Sequence, residues 1–125
     1  MLFRSVVNDT AGHAAGDKVL QEVAAALTRC VRTEDVVARH GGEEFAILVR
    51  ASSRDAVGVS AERVRSRIES LQVAFGDRTL RVTTSIGVAE LGECSQDASV
   101  DELIGLADRR LYSAKSLGRN RVCVG

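Results

Sequence analysis

The sequence predicts an α+β domain, a mostly antiparallel sheet with helices packed on one face of it. Three features carry that expectation. Three stretches place apolar residues at helical spacing. A glycine-centred hairpin joins Val36-Val37-Ala38 to Phe45-Ala46-Ile47-Leu48-Val49. A third run, Leu80 to Val88, alternates, with Leu80, Val82, Thr84, Ile86 and Val88 on one face.

The first helix is expected over residues 12–32, where Leu20, Val23, Ala24, Leu27, Cys30 and Val31 make one apolar stripe. The hairpin follows, with Gly41-Gly42 at its turn. A second helix should start near Ser52, with Ser52 and Asp55 as a capping box and Val57, Ala61, Val64, Ile68 and Leu71 as its stripe. Gly76-Asp77 breaks that pattern. In the next strand Leu80, Val82, Thr84, Ile86 and Val88 share one face, and Arg81, Thr83 and Ser85 the other, which predicts a half-buried strand. Residues 92–99 read as a polar loop. Ser99 and Glu102 form a second capping box, opening a third helix that buries Leu103, Ala107, Leu111 and Ala114 and ends at Gly118. Residues 121–124 make a short last strand. The expected order is α-β-β-α-β-α-β.

Composition narrows the function classes. A chain of 125 residues, 45% hydrophobic and 27% charged, supports one core. Its formal net charge of zero offers no electrostatic footprint for nucleic acid or for a membrane surface. Three scattered cysteines, Cys30, Cys94 and Cys123, argue against a disulfide framework and a zinc site, and suggest reduced thiols in the cytoplasm. With no tryptophan or proline and few aromatics, core volume must come from Val, Leu, Ile and Ala.

Four places could carry chemistry. Gly41-Gly42-Glu43-Glu44 sets two glycines, which let a backbone approach a phosphate, beside two carboxylates, which offer hard oxygens to Mg²⁺. A plain turn explains the glycines. It does not explain two adjacent acids, which repel without a cation. Asn8-Asp9-Thr10 and Asp17 flank the start of the first helix; an amide and a carboxylate can read a guanine edge, although taken alone they are better read as loop and cap residues. Lys115 and Arg119 end the third helix, where cations suit the helix dipole and could also hold a triphosphate. Arg32 and Asp35, just before the hairpin, read by default as a surface ion pair.

Taken together these residues resemble the GGDEF-domain family, the diguanylate cyclases, over residues 6–124. The resemblance rests on Asn8-Asp9-Thr10-x-Gly12-His13-Ala14-Ala15-Gly16-Asp17 and on Ala38-Arg39-His40-Gly41-Gly42-Glu43-Glu44-Phe45. Thr83-Thr84-Ser85-Ile86-Gly87-Val88-Ala89 and Ala107-Asp108-x-x-Leu111-Tyr112-x-Ala114-Lys115-x-x-Gly118-Arg119-Asn120 complete it. It implies a nucleotide-cyclase, palm-like fold and the condensation of two GTP into cyclic di-GMP with release of two pyrophosphates, across a homodimer with one GTP per subunit. The implied cofactor is Mg²⁺ or Mn²⁺, in the two-metal arrangement usual for phosphoryl displacement.

Roles follow from the resemblance residue by residue. Asn8 and Asp17 would read guanine, and Gly41 and Gly42 would pass close to the phosphates. Glu43 would bind metal and help deprotonate the attacking 3′-hydroxyl, with Glu44 the second acid. Lys115 and Arg119 would hold the β- and γ-phosphates. Arg32 and Asp35, with Arg63 on the second helix, match the family's product-binding inhibitory site.

The chain departs from the family at its start. Arg4 and Ser5 stand where Phe and Lys are usual, and the Asp that binds both metals would fall before Met1. The expectation is therefore a truncated domain: residues 1–5 a non-native start, residues 6–125 an incomplete GGDEF domain without its first central strand, and a fragment inactive by itself. The parent would be cytoplasmic or membrane-attached through upstream segments, with a sensory or receiver domain preceding. Against the cyclase stands a non-catalytic module that binds GTP or cyclic di-GMP. A third reading, a structural dimerisation domain, would not require these polar residues.

Overall fold

A computed structural model of the chain describes residues 2–8, 13–50 and 53–125. Strand β1 (Leu2–Asn8) leads into helix α1 (His13–Cys30), the hairpin β2 (Val36–Gly41) and β3 (Glu44–Leu48), and helix α2 (Arg54–Glu69). A short hairpin, β4 (Val73–Phe75) and β5 (Arg78–Leu80), precedes β6 (Thr83–Ala89). A 3₁₀ turn (Leu91–Glu93), helix α3 (Val100–Ser116) and β7 (Val122–Cys123) finish the chain. Among the described residues the main sheet has five strands in the order β2-β3-β1-β6-β7. Every neighbouring pair in it is antiparallel except β6–β7.

The position of β1 overturns one expectation. A central strand is present: Leu2–Asn8 pairs with β3 along Leu2↔Leu48 to Val6↔Glu44, and with β6 along Leu2↔Ala89 to Asn8↔Thr83. Phe3, Val6 and Val7 are good strand formers. Arg4 and Ser5 depart from the family motif, but a mismatch in motif is no bar to a strand.

The helices also lie differently from expectation. They sit on both faces of the sheet. Val19, Val23 and Leu27 of α1 and Val57, Ala61, Val64 and Ile68 of α2 share a core with Phe45, Ile47, Ile86 and Val88. Helix α3 covers the opposite face, where Leu103 and Ala107 pack with Ala89 and Ala46. Strand β6 is therefore buried on both sides: Thr84, Ser85, Ile86, Val88 and Ala89 are all at most 2% exposed. A side chain at Gly87 has no room, because a Cβ there would stand 2.2 Å from the Ala107 carbonyl oxygen and 2.3 Å from the Leu111 nitrogen.

Smaller corrections concern caps and breaks. Helix α2 is capped by Ser53, whose hydroxyl accepts the Ala56 N–H at 3.2 Å; the box expected at Ser52 and Asp55 falls on Ser52, which lies outside the described residues. Ser99 caps α3 as expected, accepting from Glu102 N–H at 3.2 Å. Glu102 does not complete the box. Its carboxylate turns instead to the Ser95 N–H and hydroxyl. The strand expected from Leu80 is broken at 81–82, and the Gly76-Asp77 break is the turn of the β4–β5 hairpin.

Candidate functional site

Strands β2 and β3 pair from Val36↔Leu48 to Arg39↔Phe45, then shift register so that Gly41 faces Glu44. Gly41 has φ 129 and Gly42 φ 53, with open space around both. The need for glycine here is thus conformational, since both angles are left-handed. The Arg39 guanidinium fixes the tip, donating from Nε to the Gly42 carbonyl at 3.0 Å. Glu43 stands exposed at the tip and Glu44 half-buried behind it. Phe45 and Ile47 face α1 and α2 while Ala46 packs on the α3 side, so strand alternation turns Glu44 to the α3 face.

That face receives the end of α3. Leu103 and Ala107 lie near Ala89, and Leu111 near Gly87, so α3 runs antiparallel to β6 toward the hairpin-tip end of the sheet. It closes in a Schellman arrangement: the Gly118 N–H donates to the Lys115 carbonyl at 3.3 Å and the Arg119 N–H to the Ala114 carbonyl at 3.0 Å. Gly118 (φ 120), Arg119 (φ 65) and Asn120 (φ 46) are all left-handed. The Asn120 N–H then donates to the buried Ser85 hydroxyl at 3.2 Å. Ser85 is paired with Val6, and Val6 with Glu44. Glu44 and the turn after α3 thus share one level and one face of the sheet, two strand spacings apart, or about 10 Å. Lys115 is half-buried and Arg119 exposed.

Asn8 ends β1 at the same edge, opposite Thr83, whereas Asp9 and Thr10 lie outside the described residues. Asp17 is on the other side of the sheet. It borders a groove of about 520 Å³ with Leu20, Gln21, Arg39 and Phe45. Arg39 therefore touches both the tip and this groove; in the sequence it stands within the Ala38-to-Phe45 motif, with no role assigned to it.

Arg32, Asp35 and Arg63 come together around a separate cavity of about 220 Å³, whose walls also include Arg50, Ser60 and Cys30. The expected surface ion pair takes another form. The Asp35 carboxylate accepts backbone N–H groups, Arg32 at 2.9 Å and Arg50 at 3.3 Å, which closes the turn and leaves the arginine side chains at the cavity wall. Arg50 is the residue the sequence reading missed, because no short motif links it to Arg32.

Among the described residues, no cluster of three His, Cys, Asp or Glu side chains could hold a metal by itself. Glu43 and Glu44 remain a fit for Mg²⁺, which is commonly held by one or two carboxylates with water and substrate phosphates completing its shell. No helix among the described residues is long and apolar enough to cross a membrane.

Fold and site together define a class: an α+β domain with a mostly antiparallel sheet that presents acids and cations at one sheet edge. The family model "Diguanylate cyclase, GGDEF domain" matches residues 3–121. The chain belongs to the GGDEF domain family. It is 41% identical over 120 residues to diguanylate cyclase A of Treponema denticola, covering 96% of this chain and 32% of that protein. It is 39% identical over 117 residues to diguanylate cyclase DosC of Escherichia coli, covering 93% of this chain and 25% of that one. The chain thus spans about a third or less of these relatives. Among solved structures it resembles the GGDEF domain of DgcB from Caulobacter crescentus in complex with c-di-GMP, with TM-score 0.84 and 29% identity over 98% of this chain and 76% of that one.

Proposed function

We propose that this domain is one half-site of a diguanylate cyclase, joining two GTP into cyclic di-GMP and two pyrophosphates when two copies meet. The observation that carries this reading is the shared level and face of Glu44 and the turn that ends α3. Lys115 and Arg119 would bind the β- and γ-phosphates, compensating charge on the leaving pyrophosphate. Gly41 and Gly42, lacking Cβ atoms, would let the tip backbone lie along the phosphates. Glu43, exposed at the tip, would take the proton from the 3′-hydroxyl, and Asn8 and Asp17 would hold guanine. Bound Mg²⁺, or Mn²⁺, held through Glu43 with Glu44 beside it, would supply neutralisation of the phosphate charge. The homodimer is needed because each 3′-hydroxyl attacks the α-phosphorus of the GTP on the other subunit. A sensory or receiver domain in a longer, cytoplasmic or membrane-attached protein would control that encounter.

Arg32, Asp35 and Arg63 are proposed to bind the product and inhibit synthesis. The arginine-rich cavity supports this, since guanidinium groups bind phosphate and guanine edges bidentately. The same cavity favours a second reading, a non-catalytic module that binds cyclic di-GMP, because it does not depend on the hairpin tip.

Synthesis of cyclic di-GMP from GTP and Mg²⁺, followed by chromatography, separates the two readings. The cyclase reading expects product from the longer protein that carries this domain and almost none from its Glu43→Gln variant. Equal synthesis by Glu43→Gln removes the metal and base roles from that residue. Binding of cyclic di-GMP without any synthesis supports the module instead. Arg32→Ala should relieve product inhibition while turnover persists, and unchanged inhibition would show the Arg-x-x-Asp match to be coincidental.

A further inference from the structure

Asn120 closes the left-handed turn after α3, and its side chain is held at both ends. Its Oδ1 accepts from the Arg65 guanidinium at 2.8 Å, and its Nδ2 donates to the Glu69 carboxylate. Arg65 and Glu69 also pair with each other at 3.2 Å on successive turns of α2, so the three side chains close a ring. Arg65 is further fixed by Glu62 at 2.6 Å. The amide is matched to this setting: its carbonyl faces the cation and its NH₂ faces the anion. From the backbone side, the Asn120 N–H is held by Ser85.

This arrangement matters because Arg119, the residue before it, is in a conformation that costs a non-glycine residue about 1–2 kcal/mol. Arg119 has φ 65 and an exposed side chain. Left-handed φ at two successive non-glycine residues persists where neighbours over-determine it. The Schellman bonds hold the turn from the helix side, and the ring on α2 holds it from the other.

We propose that Arg65 and Glu69 are positioning residues for the phosphate-binding end of the site: through Asn120 they lock the turn that aims Arg119 at the triphosphate. The inference rests on the assignment of Lys115 and Arg119 to the β- and γ-phosphates. It adds a demand from a different element, since α2 carries no group proposed to touch the substrate of this half-site.

The test compares GTP with GMP binding to the full 125-residue chain by calorimetry. Glu69 lies at an exposed position, so Glu69→Ala is expected to fold. Its GTP affinity should fall about tenfold, the scale of one charge-assisted phosphate contact, while GMP affinity stays within about twofold. Glu69→Gln, which keeps an acceptor for the Asn120 amide, should recover most of the loss. Amide exchange at Arg119 and Asn120 should quicken in Glu69→Ala, a readout independent of GTP. Arg119→Ala separates the two claims. If Arg119→Ala weakens GTP and Glu69→Ala does not, the clamp is only structural and the inference falls. If Arg119→Ala leaves GTP binding unchanged, or the wild type does not prefer GTP to GMP, the phosphate assignment falls and the inference with it. Equal losses of GTP and GMP in Glu69→Ala would also overturn it.

Discussion

Gly87→Ala should be among the most damaging single-methyl changes in this domain. The new Cβ would stand 2.2 Å from the Ala107 carbonyl oxygen, 2.3 Å from the Leu111 nitrogen and 2.9 Å from the Leu111 Cα. Comfortable contact begins near 3.5 Å, so α3 must withdraw by about 1 Å or more. All the atoms met are backbone, and no side chain can swing aside to absorb the clash. Overpacking of this kind typically costs 1–3 kcal/mol; with backbone on both sides the upper end applies, about 3 kcal/mol. For a chain of this length each kcal/mol lowers Tm by about 4 °C, so a fall of about 12 °C is expected. Urea denaturation followed by circular dichroism measures the change directly. Because Lys115 lies in the last turn of α3 and Arg119 just beyond its end, GTP affinity should fall in whatever fraction stays folded. Gly92→Ala is the control: a Cβ there meets nothing nearer than 3.9 Å, and stability should hold within about 0.5 kcal/mol. A Gly87→Ala protein as stable as Gly92→Ala would refute the close approach of α3 to β6.

Gly105→Ala, in the middle of α3, should act in the opposite direction. A Cβ there meets only an arginine tip at 3.7 Å, so helix propensity should raise stability by about 0.5–1 kcal/mol in the same denaturation assay. Asp35→Ala removes the acceptor of the Arg32 and Arg50 N–H groups and should cost about 1–2 kcal/mol without any ligand present, so it is a poorer probe of product binding than Arg32→Ala. Denaturation midpoints with and without cyclic di-GMP distinguish the two effects. The Glu69 carboxyl is held below its usual range, first by the Asn120 amide and then by Arg65. A lowered folded-state pKa contributes stability above the unfolded value, and that contribution is lost as pH falls through the folded one. The wild type should therefore lose stability more steeply than Glu69→Gln as pH drops below about 4.5, the ordinary value, in parallel acid melts.

Much of this fold was legible from periodicity. Val57, Ala61, Val64 and Ile68 recur at helical spacing and are all buried, because α2 meets the rest of the protein along one stripe. The α1 stripe was read slightly off-centre: Val19 is fully buried, while Leu20 and Ala24 lie at its margin. Strand β1 is hidden from a motif-based reading, because Arg4-Ser5 breaks the motif without breaking the strand. The β4–β5 hairpin has only three residues in each strand, too few for a period to stand out.

The harder thing to read was which face each element occupies, since that is a tertiary fact. Alternation in β6 suggested one wet face. Yet Ser85 and Gly87 on that face are small, and smallness permits a helix to press close as readily as it permits solvent. The residues Thr83 to Ala89 therefore need no part in the chemistry to matter for it. The Ser85 hydroxyl accepts the Asn120 N–H, and Gly87 lacks a Cβ that would push α3 away. Through these two residues β6 sets how far the cations after α3 stand from the acids at the hairpin tip. On the function proposed above, a bound triphosphate would span from those cations to metal held at the tip, and the strand would act on the site as a spacer.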